Sequence, residues 1–352
     1  MKNKLLYIYP KKATFINNDI SFLEKKYQVV TQDLDWGNPK KLIVNFYKQF
    51  LFLLKHSRTS YSIIINFGGY FSYLPTLLGK WFGVNTYIIL NGTDCVSFPA
   101  YNYGSLRKKI LKYFIYKSYK RATKLFPVDA SLVQQTHTFD DEVNQKKQGI
   151  RCFFPTLKTP VSVIPNGLDS NFWTTKSTIK KTGFISVGFV NSLKSFRVKG
   201  IDMILKTAEL FPNEKFTIVG ISDAFKSTLQ GFPTNVITIP YLEKEALKKA
   251  YQEHEFYLQV SVNEGFGCAL VEAMLTGCIP IVSNVGALPN VTKNKGFIIK
   301  KKDINHFKNT IKKALDLSDL DRKSIAREVQ ENSIKNFDIS VRERLLLQEI
   351  EN

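Results

Sequence analysis

Cysteine is scarce, and the four that occur (Cys95, Cys152, Cys268 and Cys278) are scattered without a Cys-x-x-Cys pair. That spacing argues against a disulfide framework and for reduced thiols in a cytoplasmic protein, Cys268 and Cys278 lying inside apolar elements. Histidine is equally rare. His56, His137, His254 and His306 form no metal-spaced cluster, so no structural zinc is expected. Long hydrophobic runs are missing too. The greasiest stretch, residues 42–54, is interrupted by Asn45, Lys48 and Gln49 and falls short of the roughly 20 residues of a membrane span. Near the start, five apolar residues separate Lys4 from Pro10. They are too few for a signal peptide and suit a first buried strand.

Acid is in short supply, and unevenly so. Residues 1–170 carry 24 Lys/Arg against 10 Asp/Glu, whereas residues 171–352 carry 26 against 20. The densest run, residues 107–124, holds eight basic residues and no acid, with Tyr113, Phe114, Tyr116 and Tyr119 interleaved. Three readings compete: a membrane-surface patch for anionic lipid, a nucleic-acid patch, or a solvated face of a lysine-rich protein. On a helical wheel the basic residues spread almost all the way round, unlike the one-sided face of a clean interfacial helix. The membrane reading stands slightly ahead of the solvated face, and nucleic acid behind both.

What the chain does have is material for two cores: 352 residues, 44% of them hydrophobic, suit two domains of ordinary size. Short apolar β-type runs alternate with helical patterns, the signature of parallel α/β sheets. Strands are expected at 5–9, 28–31, 63–67, 86–90, 124–128 and 162–164, then at 184–187, 216–219, 236–239, 256–260, 279–282 and 297–299. Helices fill the gaps, notably 39–56, 105–122, 199–211, 243–255 and 303–317, and two more, 318–337 and 338–351, end the chain. A linker is expected near Asn166-Gly167, continuing through 174–182. Two doubly wound domains would face each other with their strand C-terminal ends lining a cleft.

The most informative stretch is Ser261-Val-Asn-Glu-Gly-Phe-Gly-Cys-Ala-Leu-Val-Glu-Ala-Met-Leu-Thr-Gly277. Glu264 opens a glycine turn after a buried strand, and Glu272 stands alone among apolar neighbours. Gly265 and Gly267 allow close backbone approach, and the helix N-terminus that follows favours phosphate. Eight helical positions would set the two acids about 12 Å apart, wider than the roughly 5–10 Å of paired glycosidase carboxylates. They read as two grips on one elongated ligand, such as a phosphorylated sugar derivative. Taken singly, each acid is as readily a structural residue.

Together with Thr276-Gly-Cys-Ile-Pro-Ile-Val-Ser283, Gly286-Ala-Leu-Pro289, Val163-Ile-Pro-Asn-Gly-Leu-Asp169 and Ser186-Val-Gly188 followed by Val198-Lys-Gly-Ile-Asp202, this segment resembles retaining glycosyltransferases of family 4 (glycosyl transferases group 1). The resemblance covers residues 160–300 well and the first half loosely. It implies an α/β GT-B fold: an acceptor-binding Rossmann-like domain over 1–168, a nucleotide-sugar-binding one over 169–335, and a C-terminal helix, 336–352, returning to the first. It also implies that a sugar passes from a nucleotide diphosphate to a hydroxyl of a glycan or lipid-linked acceptor, with retention and without a metal, in cell-surface polysaccharide synthesis. No cofactor is implied beyond the nucleotide sugar itself; the reduced thiols would place the protein in the cytoplasm, and the basic first half, on the membrane reading, peripherally at the inner membrane face.

By the same resemblance Glu264, Lys199 and Asn91 would be catalytic. Gly188, Gly265, Phe266, Gly267 and Glu272 would bind donor, Glu272 at the ribose. Arg197 would replace the arginine that the family carries in the turn after the strand, where this chain has Gly188-Phe-Val-Asn-Ser. Asn91 stands where the family commonly has His, and it cannot shuttle a proton at neutral pH. Gly68, Gly69 and Asp94 would lie on the acceptor side. Asp33-Leu-Asp35 superficially matches a metal-holding Asp-x-Asp but lies far from the donor motifs and reads as an exposed loop. The rival reading is a basic membrane- or nucleic-acid-binding protein on a degenerate transferase fold, against which the intact pair Glu264 and Glu272 argues. No motif supports a sugar-nucleotide epimerase or phosphorylase.

Overall fold

The computed structural model describes residues 2–174, 180–229 and 231–352; most of the expected linker stretch 174–182 therefore lies outside the described residues. The first sheet contains β1 (Lys4–Ile8), β2 (Gln28–Thr31), β3 (Ser62–Asn66), β4 (Asn85–Leu90) and β5 (Lys124–Pro127), all parallel in the order β2-β1-β3-β4-β5. Between them run α1 (Thr14–Lys26), α2 (Leu42–His56), α3 (Tyr73–Phe82) and α4 (Lys109–Arg121). Parallel crossovers are right-handed. The reversal of strand order therefore puts α1 on one face of the sheet and α2, α3 and α4 side by side on the other. The strands read as continuous apolar runs because both faces are covered: Leu5, Leu6, Ile63, Ile64, Ile65, Ile88 and Leu90 are fully buried.

A two-residue pairing, β6 (Gln135–Thr136) with β7 (Lys147–Gln148), brackets an excursion of the first half toward the second. Two short helices, α5 (Ile150–Phe153) and α6 (Ser170–Trp173), flank the crossing. The second sheet takes β8 (Phe184–Val190), β9 (Phe216–Ile221), β10 (Val236–Ile239), β11 (Phe256–Gln259), β12 (Ile279–Ser283) and β13 (Phe297–Ile299) in the order β10-β9-β8-β11-β12-β13. Its helices are α7 (Leu193–Val198), α8 (Ile201–Leu210), α9 (Asp223–Lys226), α10 (Lys244–Glu253), α11 (Cys268–Leu275), α12 (Leu288–Thr292) and α13 (Ile304–Leu315). The chain ends in α14 (Asp319–Phe337) and α15 (Ile339–Glu351). Helix α15 lies against α1: Lys25 pairs with Glu343, and Tyr27 donates to Glu351 at 3.0 Å.

Three local expectations are corrected. Residues 162–164 form no strand; they run beside β5, Ser162 and Ile164 donating their N–H groups to Leu125 and Pro127. Phe67 is not extended but left-handed, φ +71°, turning the chain out of β3 into Gly68-Gly69. The turn expected after residue 187 belongs instead to β8, which continues through an irregularity to Val190. The extra helix α7 follows at once because Ser192 and Ser195 cap its start reciprocally.

Candidate active site

Each sheet reverses its strand order once, between β1 and β3 and between β8 and β11. The crevice outside the strand ends at such a reversal is where α/β sheets take ligands. At the second reversal, the loop after β11 carries Glu264. Its Oε2 accepts from Lys199 Nζ at 2.9 Å, from Gln259 Nε2 at 2.8 Å and, more weakly, from Ser261 Oγ at 3.4 Å. Lys199 sits between α7 and α8 rather than at a helix start, with left-handed Gly200 following. Gly188 of β8 runs alongside the Lys199 stem, where a Cβ would stand in ordinary van der Waals contact with it at 3.5 Å.

The glycine turn serves contact between the two halves. A Cβ on Gly265 would stand 2.1 Å from the Asn91 carbonyl oxygen, and one on Gly92 3.1 Å from Gly265 Cα. The loop after β4 and the loop after β11 therefore touch backbone to backbone, which only glycine permits. Gly267, φ +93°, starts α11. Helix α11 thus covers only the second part of the interval between the two acids, so the straight-helix separation does not apply. Phe266 turns inward: it is buried, its ring 5.3 Å from that of Phe337. Only its backbone faces the turn.

Glu272, one turn into α11, has among the described residues a single long partner, the Tyr251 hydroxyl at 3.4 Å. Burial pushes its carboxyl up to about 7, against the smaller pull of Tyr251 and of the Lys244 charge. A carboxylate so poorly compensated suits a ligand whose hydroxyls donate to it.

On the first half, Asn91 donates from Nδ2 to Asn66 Oδ1 at 2.7 Å, while its own Oδ1 is buried with no partner among the described residues. Behind it runs a relay that the sequence did not reveal. Asn66 donates to Tyr7 at 2.9 Å, Tyr7 to Asp19 at 2.7 Å, and Arg342 of α15 grips Asp19 through two nitrogens at 2.6 and 2.7 Å. Arg342 also donates to the carbonyls of Ile164 and Pro165, where the chain crosses between the halves. Tyr103 was likewise missed; burial and then the Glu264 charge push its phenol up. Gln259, a lone amide in the apolar strand β11, was the one legible signal.

Asp94, Gly68 and Gly69 build a loop rather than line a cleft. Asp94 is buried and accepts from the N–H groups of Gly68 at 2.8 Å and Gly92 at 3.1 Å and from the Tyr119 hydroxyl at 2.8 Å. Burial pushes its carboxyl up against those bonds. Side chains at 68 and 69 would strike the rings of Tyr119 and Phe71. Arg197 does not join Lys199; it pairs with Glu142 of the first half at 2.9 Å and stacks over Tyr101. Asp33 pairs with Lys12 and Asp35 with Lys41, all exposed.

Residues 173–332 match the family model described as glycosyl transferases group 1. A putative glycosyltransferase of Acidianus filamentous virus 2 is 23% identical over 241 residues, 62% of this chain and 72% of that protein. Among solved structures, sucrose-phosphate synthase from Thermosynechococcus elongatus superposes with a TM-score of 0.75 at 13% identity, covering 99% of this chain and 98% of that one. HepE of Anabaena, solved in complex with UDP, gives 0.73 at 14% identity and covers both chains completely. At these identities the structural likeness establishes the fold, which is GT-B.

Proposed function

We propose that this nucleotide-sugar glycosyltransferase of GT-B fold transfers its sugar with retention, without a metal, in the manner of family 4 enzymes. The observation that carries the reading is the pair of acids on one strand–turn–helix unit: Glu272 under-compensated in an apolar setting, and Glu264 tied to Lys199 at the strand reversal. Glu272 takes the ribose hydroxyls. Lys199 leaves Glu264 to meet the diphosphate and offsets its charge as the bond from the anomeric carbon to the phosphate oxygen breaks. The acceptor oxygen forms its bond on the same face, and its proton passes to the departing phosphate oxygen. Glu264 and the amides of residues 265–267 hold the sugar hydroxyls. Asn91, held by Asn66, offers its free Oδ1 to another hydroxyl. Asn91 orients and does not shuttle a proton. Arg197 acts at the contact between the halves, not on phosphate.

The donor nucleotide is proposed to be uridine diphosphate, since HepE was solved with it. The acceptor is a glycan or lipid-linked hydroxyl in cell-surface polysaccharide synthesis. The enzyme meets it in the cytoplasm at the inner membrane face, a placement supported by the excess of 14 positive charges in residues 1–170. The test is a thermal-shift screen of nucleotide sugars with EDTA present. A bound donor at 100 times its dissociation constant adds about 2.7 kcal/mol of stability. The donor is expected to stabilise the wild type and not a folded Glu272→Ala variant. Stabilisation that needs added manganese, or that survives in Glu272→Ala, would overturn the assignment.

A further inference from the structure

Helix α2 turns little apolar surface inward. Of its three buried residues only Leu53 is apolar; the others are amides, Asn45 and Gln49, donating to the carbonyls of Asp35 at 2.7 Å and Phe71 at 3.0 Å. The outward face carries the grease: Ile43 is 84% exposed and Tyr47 64%, followed by Phe50, Leu51 and Leu54, all exposed. The spacing i, i+4, i+7, i+8, i+11 is the amphipathic stripe of an ordinary surface helix, here aimed away from the core. The stripe extends sideways, because Phe46 of α2 meets Phe114 of α4 at 6.0 Å, and beside Phe114 stand exposed Tyr113 and Ile110. A contiguous outward apolar patch on a folded surface marks a site of interaction.

The charge around the patch selects the partner. Helices α2, α3 and α4 share this face of the sheet, hold eight Lys/Arg between them, and contain no Asp or Glu. Lys48 and Lys55 flank the α2 stripe directly and are exposed. A second copy of the chain would set these cations against its own, whereas an anionic bilayer supplies the opposite charge and an apolar interior. We infer that α2 is the membrane anchor of this protein: it lies in the interface plane with Ile43, Tyr47, Phe50, Leu51 and Leu54 among the acyl chains and the lysines of α2, α3 and α4 at the headgroups. Helix α4, within the basic run 107–124, contributes mainly charge, and even there Lys112 and Arg121 stack on Phe153 and Tyr73. This deepens the membrane placement given above and is independent of the transfer chemistry.

The experiment is co-sedimentation of the full chain with phosphatidylcholine vesicles, with and without phosphatidylglycerol, alongside donor hydrolysis in solution. Ile43→Ser/Tyr47→Ser/Leu51→Ser, all at exposed positions, is expected to weaken vesicle binding about a hundredfold or more, since burying one large apolar side chain is worth roughly tenfold. Donor hydrolysis should be unchanged, so failure of the anchor and failure of the transferase reading are separable. Lys48→Gln/Lys55→Gln/Lys80→Gln, which removes three of the eight cations, is expected to reduce the advantage of anionic over neutral vesicles. Full binding by the serine variant would overturn the anchor and leave charge alone. So would a wild type that ignores anionic vesicles at low salt, or one that instead self-associates in a manner the serine variant abolishes.

Discussion

At the residue scale, the two acids that stand out in the sequence have opposite environments. Glu264 is compensated by Lys199 and Gln259, whereas Glu272 has little but Tyr251. Glu264→Gln keeps the shape but loses the charge that holds Lys199, so nucleotide affinity is expected to survive while sugar transfer falls by about two orders of magnitude, the scale of a lost transition-state contact. Turnover compared with nucleotide dissociation constant decides this, and a variant with normal transfer removes Glu264 from the mechanism. Glu272 makes a pH prediction. Its folded value of about 7 lies above its value of about 4.5 in the unfolded chain, so the unfolded state gives up its proton first. The carboxyl therefore costs nothing at low pH, costs progressively more as pH rises from about 4.5 to 7, and costs its full amount, on the order of 3 kcal/mol, above that. Glu272→Gln is expected to raise the melting temperature at pH 8 and to leave it nearly unchanged at pH 4. Equal effects at both pH values would refute the burial argument.

At the scale of elements, most helices and strands were legible because hydrophobic period and capping residues act locally; β2, β10 and β13 fall where the apolar runs place them. The exceptions were decided at a distance. β8 runs on to Val190 because β9 offers partners as far as Ile221, whereas 160–164 meets the open edge of β5 through only three backbone bonds and a single bridge, Leu125 with Val161. Helix α15 is expected from the sequence as a terminal helix, but nothing local in it shows that Arg342 is wholly buried against Asp19. Arg342→Met strands that carboxylate in the core and is expected to cost about 3–5 kcal/mol, whereas Arg342→Met/Asp19→Asn should recover much of it. Chemical denaturation of the single and double variants measures the coupling, and additive losses would mean the two groups act separately.

At the scale of the whole molecule, the halves meet through polar pairs as well as the glycine contact. Asn290 donates to Asp129, Gln135 to Asn263, and Lys301 to Asp141. The least exposed pair is Lys302 with Asp140, at 3.3 Å; its neighbour Glu142, paired with Arg197, is largely exposed. Exposed pairs are worth about 0–1 kcal/mol, and a buried cation robbed of its partner costs several times more. Asp140→Ala should therefore let the halves part, read as a larger radius of gyration in small-angle scattering, while Glu142→Ala should leave the radius unchanged. Identical radii in both would mean that the contact of Gly92 with Gly265 alone maintains closure.

The sequence by itself determined the two parallel α/β halves and the strand–turn–helix unit bearing Glu264 and Glu272, because periodicity, glycine and a lone acid in an apolar helix are local signals. It also exposed the excess of positive charge, which is a matter of counting. Only the tertiary structure decided which residues meet across the chain. The meeting of Asn91-Gly92 with Gly265, the relay from Arg342 to Asn91, the diversion of Arg197 to Glu142, and the inward turn of Phe266 all join residues tens to hundreds of positions apart. The outward face of α2 belongs with them. The sequence shows a greasy stretch broken by Asn45, Lys48 and Gln49, but which side meets the core is settled in the fold, where Leu53 is buried and the carbonyls of Asp35 and Phe71 take the two amides.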